Sequence, residues 1–312
     1  MSDYILSCCT TADLAPEQYE ELNLSYVPYK YALDGEWRTE NVRDFDPMEF
    51  YSAIASGAMA ETEHPSIREF SDYFMDYFRS GKPVLHVTLS SGISDTYYVA
   101  AGAAKVITSV YPEAKIYVVD SMCASGGFGL LMTKAAELRD QGYTIEELRD
   151  WIEENKMKVN HLFFSTDISY FEKSGRVTKR AGSIARTLSI CPLMDVDARG
   201  RLEARKNVRT REKVYKEAIR RMEKDADGRT DYDGPVYIST SAEWEDANKM
   251  RELIAGKFPK AEDKIRINSI GTTIGSHTGP GTTAIFFWGR DRRDETGIKG
   301  YAIDCFRGRF NK

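Results

Sequence analysis

The stretch "VTLSSGISDTYYVAAGAAKVI", beginning at Val87, gathers Ser90, Ser91, Ser94 and Thr96 around Gly92, between an apolar run and a segment with helical spacing. Hydroxyls at such a bend can supply a nucleophile, cradle a phosphate or hold a carboxylate. The free N–H groups of a first helical turn favour an anion there. Two other loops have the same make-up: Asp120 to Gly127, with Ser121, Ser125 and Gly126, and Thr62-Glu63-His64-Pro65-Ser66. Each also serves simply as a helix cap, the usual role of Ser and Thr in such places. Three on one sheet edge favour a site. A fourth element is "IGSHTGPGTTAIFFW", in which Gly275, Gly279 and Gly281 allow a close backbone approach before a strand. His277 is the one histidine of the four in such a loop, whereas His86 and His161 lie at strand positions and read as structural.

Several chemistries lack their motif. The nucleophile elbow G-x-S-x-G is missing, because "SSGISDT" has a single glycine. A Ser–His–acid set can be composed from Ser94, His277 and Asp120, but any chain this long yields one. Neither G-x-x-x-x-G-K-[ST] nor G-x-G-x-x-G occurs, so no nucleotide site of a known kind is legible. The five cysteines (Cys8, Cys9, Cys123, Cys191 and Cys305) form no C-x-x-C and have no histidine at ligand spacing. No metal site follows. Cys8 and Cys9 read as small buried residues ending a first strand.

A net charge of -5 argues against nucleic acid as a partner. The start "MSDYILSCCTTADL" has no basic region and only a short apolar run, and no stretch is long enough to cross a bilayer. A cytoplasmic protein is the expectation. A hydrophobic fraction of 42% over 312 residues suffices for two modest domains with proper cores.

These loops need a scaffold. "YILSCCT", "PVLHVTLS" and "KIYVVDS" are nearly continuous apolar strands alternating with helical segments, which predicts a parallel sheet covered on both faces. "LSYVPYKYAL" reads as a strand interrupted by Pro28. Ligands in such sheets bind beyond the carboxyl ends of the strands, where the hydroxyl loops fall. The second half has shorter strands in "HLFFSTD", "RLEARKNV", "GPVYISTS" and "KIRINSIG", separated by charged helices. The expected fold is α/β: a doubly wound parallel-sheet domain over residues 1–158 and a smaller α+β domain over 159–312, with helices on one face of a mixed sheet. The tail "GRDRRDETGIKGYAIDCFRGRFNK" reads as an extra strand or a loosely held extension.

Five segments resemble the bacterial DegV family. "TLSSGISDTY" resembles its "ISSGLSGTY" loop, and "VVDSMCASGGFGLL" its Asp-Ser/Thr loop with a following Ser-Gly run. "SYFEKSGRVT" is similar to its "YLxKGGRI" segment. "ICPLMDVDARGRLEARKNVRTREK" is similar to its "KPILxxxxGxLxxxxKxRTxKKA". "IGSHTGPGTTAIFF" resembles its His-x-Gly-Pro-Gly loop. The match runs in order from about residue 3 to residue 288.

The resemblance implies a DegV/EDD-like, non-catalytic carrier of a long-chain fatty acid, with no other cofactor, whose carboxylate a separate ATP-binding kinase subunit phosphorylates. On that pattern Thr62 and Ser94 hydrogen-bond the carboxylate and His277 contacts the head group. Ser91, Gly92, Ser121, Ser125, Gly126, Thr278 and Gly279 build the supporting loops. Arg209 and Arg211 form a candidate docking surface for the kinase. The acyl chain is expected in a tunnel lined from "PVLHVTL", "HLFF" and "TTAIFFW". Glu63, His64, Asp95 and Ser174 depart from the family pattern, and Glu63 and Asp95 are expected to face water. A serine hydrolase or phosphotransferase acting on a small substrate at the same loops is the alternative, and an interaction domain whose loops only cap helices is a third.

Overall fold

The computed structural model describes residues 3–177 and 190–296. The first part carries strands β1 (Ile5–Cys9), β2 (Ser25–Val27), β3 (Lys30–Leu33), β4 (Glu36–Thr39), β5 (Ala60–Glu63), β6 (Val84–Thr88) and β7 (Ile116–Asp120). Its helices are α1 (Pro16–Glu21), α2 (Pro47–Ala55), α3 (Ile67–Arg79), α4 (Thr96–Val110), α5 (Ser125–Asp140) and α6 (Ile145–Asn155). There follow β8 (Val159–Ser165), α7 (Ser169–Ser174), β9 (Ile190–Val196), β10 (Leu202–Arg209), α8 (Arg211–Asp225), β11 (Val236–Thr240), α9 (Trp244–Lys257), β12 (Ile265–Ser269), α10 (Thr272–Thr278) and β13 (Thr282–Trp288).

The first sheet is parallel throughout, in the order β2-β1-β6-β7. All five residues of β6 are buried, so both faces are covered, as its unbroken apolar run requires. Pro28 does not interrupt one strand but separates two. β2 joins the parallel sheet, while β3 leaves it to pair antiparallel with β4 and β5 in a small three-stranded sheet. The segment preceding α3 therefore contains a strand, β5, and Thr62 lies on it.

The second sheet is mixed, in the order β10-β9-β8-β13-β11-β12, with only the β11–β12 pair parallel. Its two faces are read off alternate residues. Leu162, Phe164, Ile285 and Phe287 pack with Val214, Ala218, Met250 and Ile254 of α8 and α9. Phe163, Ala284 and Phe286 point the other way, into the core of the first half. The second half's own helices α8 and α9 thus lie on one face of its sheet, as expected, and α5 of the first half covers the other. Its backbone comes very close, since a Cβ on Gly126 would lie 2.8 Å from the Phe286 ring and one on Gly127 2.3 Å from His161 Nε2. Only glycine fits there.

The tail after Trp288 begins with a 3-10 turn, Arg292–Thr296, and its remainder, including Cys305, lies outside the described residues. Arg292 is buried and donates to the carbonyls of Asp197 (2.9 Å) and Met122 (2.8 Å), joining the end of β9 to the loop after β7.

Candidate functional site

A cavity of about 130 Å3 lies between the inner face of the second sheet and the loops of the first. One buried water needs only ~10–15 Å3 on the same measure. Its walls are apolar: Leu89 and Ile93 on one side, Phe163, Val196, Ala284 and Phe286 on the other. Of the three segments expected to line a tunnel, β8 and β13 contribute alternate residues, whereas "PVLHVTL" contributes only Leu89, just past the end of β6.

One end is polar. Thr62 arrives on β5 and His277 on the last turn of α10, a short helix where the sequence suggested only a loop. His277 Nε2 lies 2.8 Å from Thr62 Oγ1, and Arg176 Nη1 donates to His277 Nδ1 at 3.4 Å. A guanidinium can only donate, so Nδ1 accepts and the imidazole proton resides on Nε2. Nε2–H then donates to Thr62 Oγ1, and the Thr62 hydroxyl keeps its own proton for a further acceptor. Burial, reinforced by the Arg176 charge, pulls His277 down from its ordinary 6.5 to about 4. The ring is neutral at physiological pH.

Ser94, at the foot of α4, lines the same cavity. Its Oγ lies 2.8 Å from Thr96 Oγ1, which in turn lies 2.5 Å from the Tyr29 hydroxyl. Burial holds Tyr29 well above its ordinary range and keeps that hydroxyl protonated. Ser125 and Thr278 add to the polar lining, as do Thr273, Thr282 and two of the residues that depart from the family pattern, His64 and Ser174. Ser125 Oγ donates to the buried Asp13 (2.6 Å) from a left-handed backbone, φ 52°. Thr278 Oγ1 is buried with no hydrogen-bond partner among the described residues.

Of the candidate residues, Thr62, Ser94, Ser125, His277 and Thr278 thus share one cavity. The others stand behind it. Ser91 N–H donates to Asp120 Oδ1, as does Met122 N–H, so Asp120 ties two loops together and does not pair with His277. Gly92 abuts the Arg199–Gly200 backbone, Ser121 is bonded to Cys123 within its own loop, and Gly126 meets Ser239 and Phe286. Gly279, at φ 69°, ends α10 against the Tyr170 ring. Glu63 and Asp95 are exposed. Arg209 is exposed, but Arg211 pairs with the buried Asp246 at 3.0 Å.

Arg176 and His161 are among the lining residues that were not singled out from the sequence as ligand contacts. Arg176 brings a cation to the polar end, and its sole signal was its place in "SGRVT". His161 is also in the lining, yet both its nitrogens are committed, Nε2 accepting from Ala124 N–H and Nδ1 donating to the Val159 carbonyl. Cys8, Cys9 and Cys123 are buried with their thiols pushed up, Cys123 to about 12, and are inert at neutral pH.

Among known proteins, a DegV domain-containing protein of Clostridium perfringens is 31% identical over 290 residues, spanning 93% of this chain and 98% of that protein. One from Streptococcus pyogenes is 28% identical over 285 residues, 91% and 97% of the two chains. Among solved structures, a fatty-acid-binding DegV family protein from Thermus thermophilus superposes with a TM-score of 0.81 at 22% identity, covering 93% of this chain and all (100%) of that one. DegV from Bacillus subtilis, described as a fatty acid binding protein, gives 0.80 at 24% identity, with 93% and 100% coverage. The model of the uncharacterised DegV family matches residues 10–290, and the chain belongs to that family.

Proposed function

We propose that this protein binds one long-chain fatty acid in the cavity, its carboxylate hydrogen-bonded by Thr62 and Ser94 with His277 at the head group behind Thr62, and presents that carboxylate to a separate ATP-binding kinase subunit for conversion to an acyl phosphate. The observation that carries the reading is the neutral His277, which donates to Thr62 and so leaves the Thr62 O–H for an acceptor at the polar end of an otherwise apolar cavity. The fatty acids bound by the solved DegV relatives support the same occupant. The tail supplies most of the affinity: about 0.8 kcal/mol per methylene gives roughly 11 kcal/mol gross for about 14 methylenes, reduced by the cost of immobilising the chain.

The serine hydrolase alternative is poorly supported. Ser94 contacts Thr96 and His277 contacts Thr62 and Arg176, so the serine and the histidine are not bonded to one another. A nucleophile needs a base within hydrogen-bond reach.

Native mass spectrometry of the protein purified from bacteria tests the proposal. One fatty acid per chain is expected; protein free of lipid that also fails to bind added palmitate would overturn it. Docking of the kinase is assigned to the Arg209 face. Because Arg211 neutralises a buried carboxylate, Arg209→Glu is the informative change. It is expected to leave fatty-acid affinity intact and to slow phosphorylation by the cognate kinase.

A further inference from the structure

We infer that Glu40, with Asp13 beside it, is a positioning residue for the head-group histidine. The inference rests on the proposed contact between the bound carboxylate and Thr62, whose hydroxyl His277 orients. α10 has only seven residues and is rich in Gly, Ser and Thr, too short and too poor in helix formers to hold itself. What fixes it comes from far away in the chain. Glu40 Oε1 accepts from Thr272 Oγ1 (2.6 Å) and Thr273 N–H (3.1 Å), and Glu40 Oε2 accepts from Thr273 Oγ1 (3.2 Å). Asp13 Oδ1 accepts from Gly271 N–H (3.1 Å). Both carboxylates are buried and press on the backbone, so that a Cβ on Gly271 would stand 2.8 Å from Asp13 and 3.3 Å from Glu40.

The same two groups reach the rest of the polar end. Asp13 Oδ2 holds Ser125, a lining residue, and Glu40 holds the Thr10 hydroxyl, which accepts from Tyr29 N–H at 3.2 Å. Each donor is neutral, so the pair acts as multiple acceptors and not as halves of ion pairs, and burial, with Glu40 beside it, pushes the Asp13 carboxyl well above its ordinary range. Elements bearing His277, Ser125 and Tyr29 thus converge on one buried acidic pair, which sets their mutual geometry without touching the ligand. Loss of Glu40 frees the start of α10 to rotate, and the imidazole at its far end moves off the Thr62 hydroxyl.

The test compares palmitic acid with its methyl ester on full-length wild type, Glu40→Gln and Thr272→Val. Thr272→Val removes one donor to Glu40, does not line the cavity, and decides the matter where Glu40→Gln fails to fold. The wild type is expected to prefer the acid. The variants are expected to lose that preference by roughly tenfold, the worth of one hydrogen bond to a charged group, with ester affinity unchanged. The His277 imidazole resonances are read in parallel, and in the variants the ring is expected to titrate closer to 6.5 than to about 4. Equal losses for acid and ester with an unmoved His277 titration would overturn the inference. A wild type indifferent to acid and ester would refute the head-group contact alone; the His277 titration would still decide whether Glu40 positions the ring.

Discussion

At Ser94 the hydroxyl lies 2.8 Å from Thr96 Oγ1, and no histidine is bonded to it among the described residues. Its proposed task is to donate one hydrogen bond to a carboxylate. Ser94→Ala is therefore expected to weaken fatty-acid binding by about 1.5–3 kcal/mol without abolishing it, a loss that titration calorimetry resolves. An acyl fluorophosphonate should add no mass to Ser94 in the wild type; a stoichiometric adduct there would restore the hydrolase reading. His277 supplies a second prediction. Its folded value, about 4, lies below its ordinary 6.5, so the unfolded chain binds the extra proton first as pH falls. Its contribution to stability is whole above pH 6.5 and is lost progressively towards pH 4. The drop in melting temperature between pH 7 and pH 4.5 should be smaller in His277→Gln than in the wild type. An identical drop in both would show that the ring is not held neutral by its surroundings.

Elements differ in how far their residues announced them. β1, β6 and β7 were legible because a strand buried on both faces must be apolar throughout. β5 was not, since its four residues alternate Ala and Thr with glutamates and contain no large apolar side chain. α10 was read as a loop because its own residues favour one; Glu40 and Asp13 override that preference, and no local pattern reveals a partner more than 200 positions away. β9 hid behind Pro192. That proline faces only Asn207 of β10, because pairing with β8 begins at Leu193, so its missing N–H breaks no central ladder. The hydroxyl loops were visible as candidates, whereas Arg176 became part of the site only once α10 was placed. Arg292 stood in a tail expected to be an extra strand or a loosely held extension, and it staples β9 to the loop after β7. Arg292→Met should cost about 1–3 kcal/mol for each buried carbonyl left without its donor. The urea midpoint measures it, and an unchanged midpoint would mean that the staple contributes nothing.

On the scale of the whole molecule, the cavity is walled by the same side chains that form the core: Phe163, Ala284 and Phe286 belong both to its lining and to the main apolar cluster. A bound tail is thus a component of the interior, and palmitate should raise the melting temperature by simple linkage to the folded state. No shift with any saturated acid of ten to twenty carbons would remove the tail from the interior. The wall has a mechanical consequence as well. Space enclosed by close-packed side chains is volume that only the folded state possesses, and hydrostatic pressure works against whichever state is larger. Protein stripped of lipid should therefore unfold at lower pressure than the lipid-loaded form, followed through Trp151 and Trp288, whose rings meet 5.9 Å apart. On the proposed reading the acyl chain would act there as an incompressible strut between the second sheet and the loops that face it.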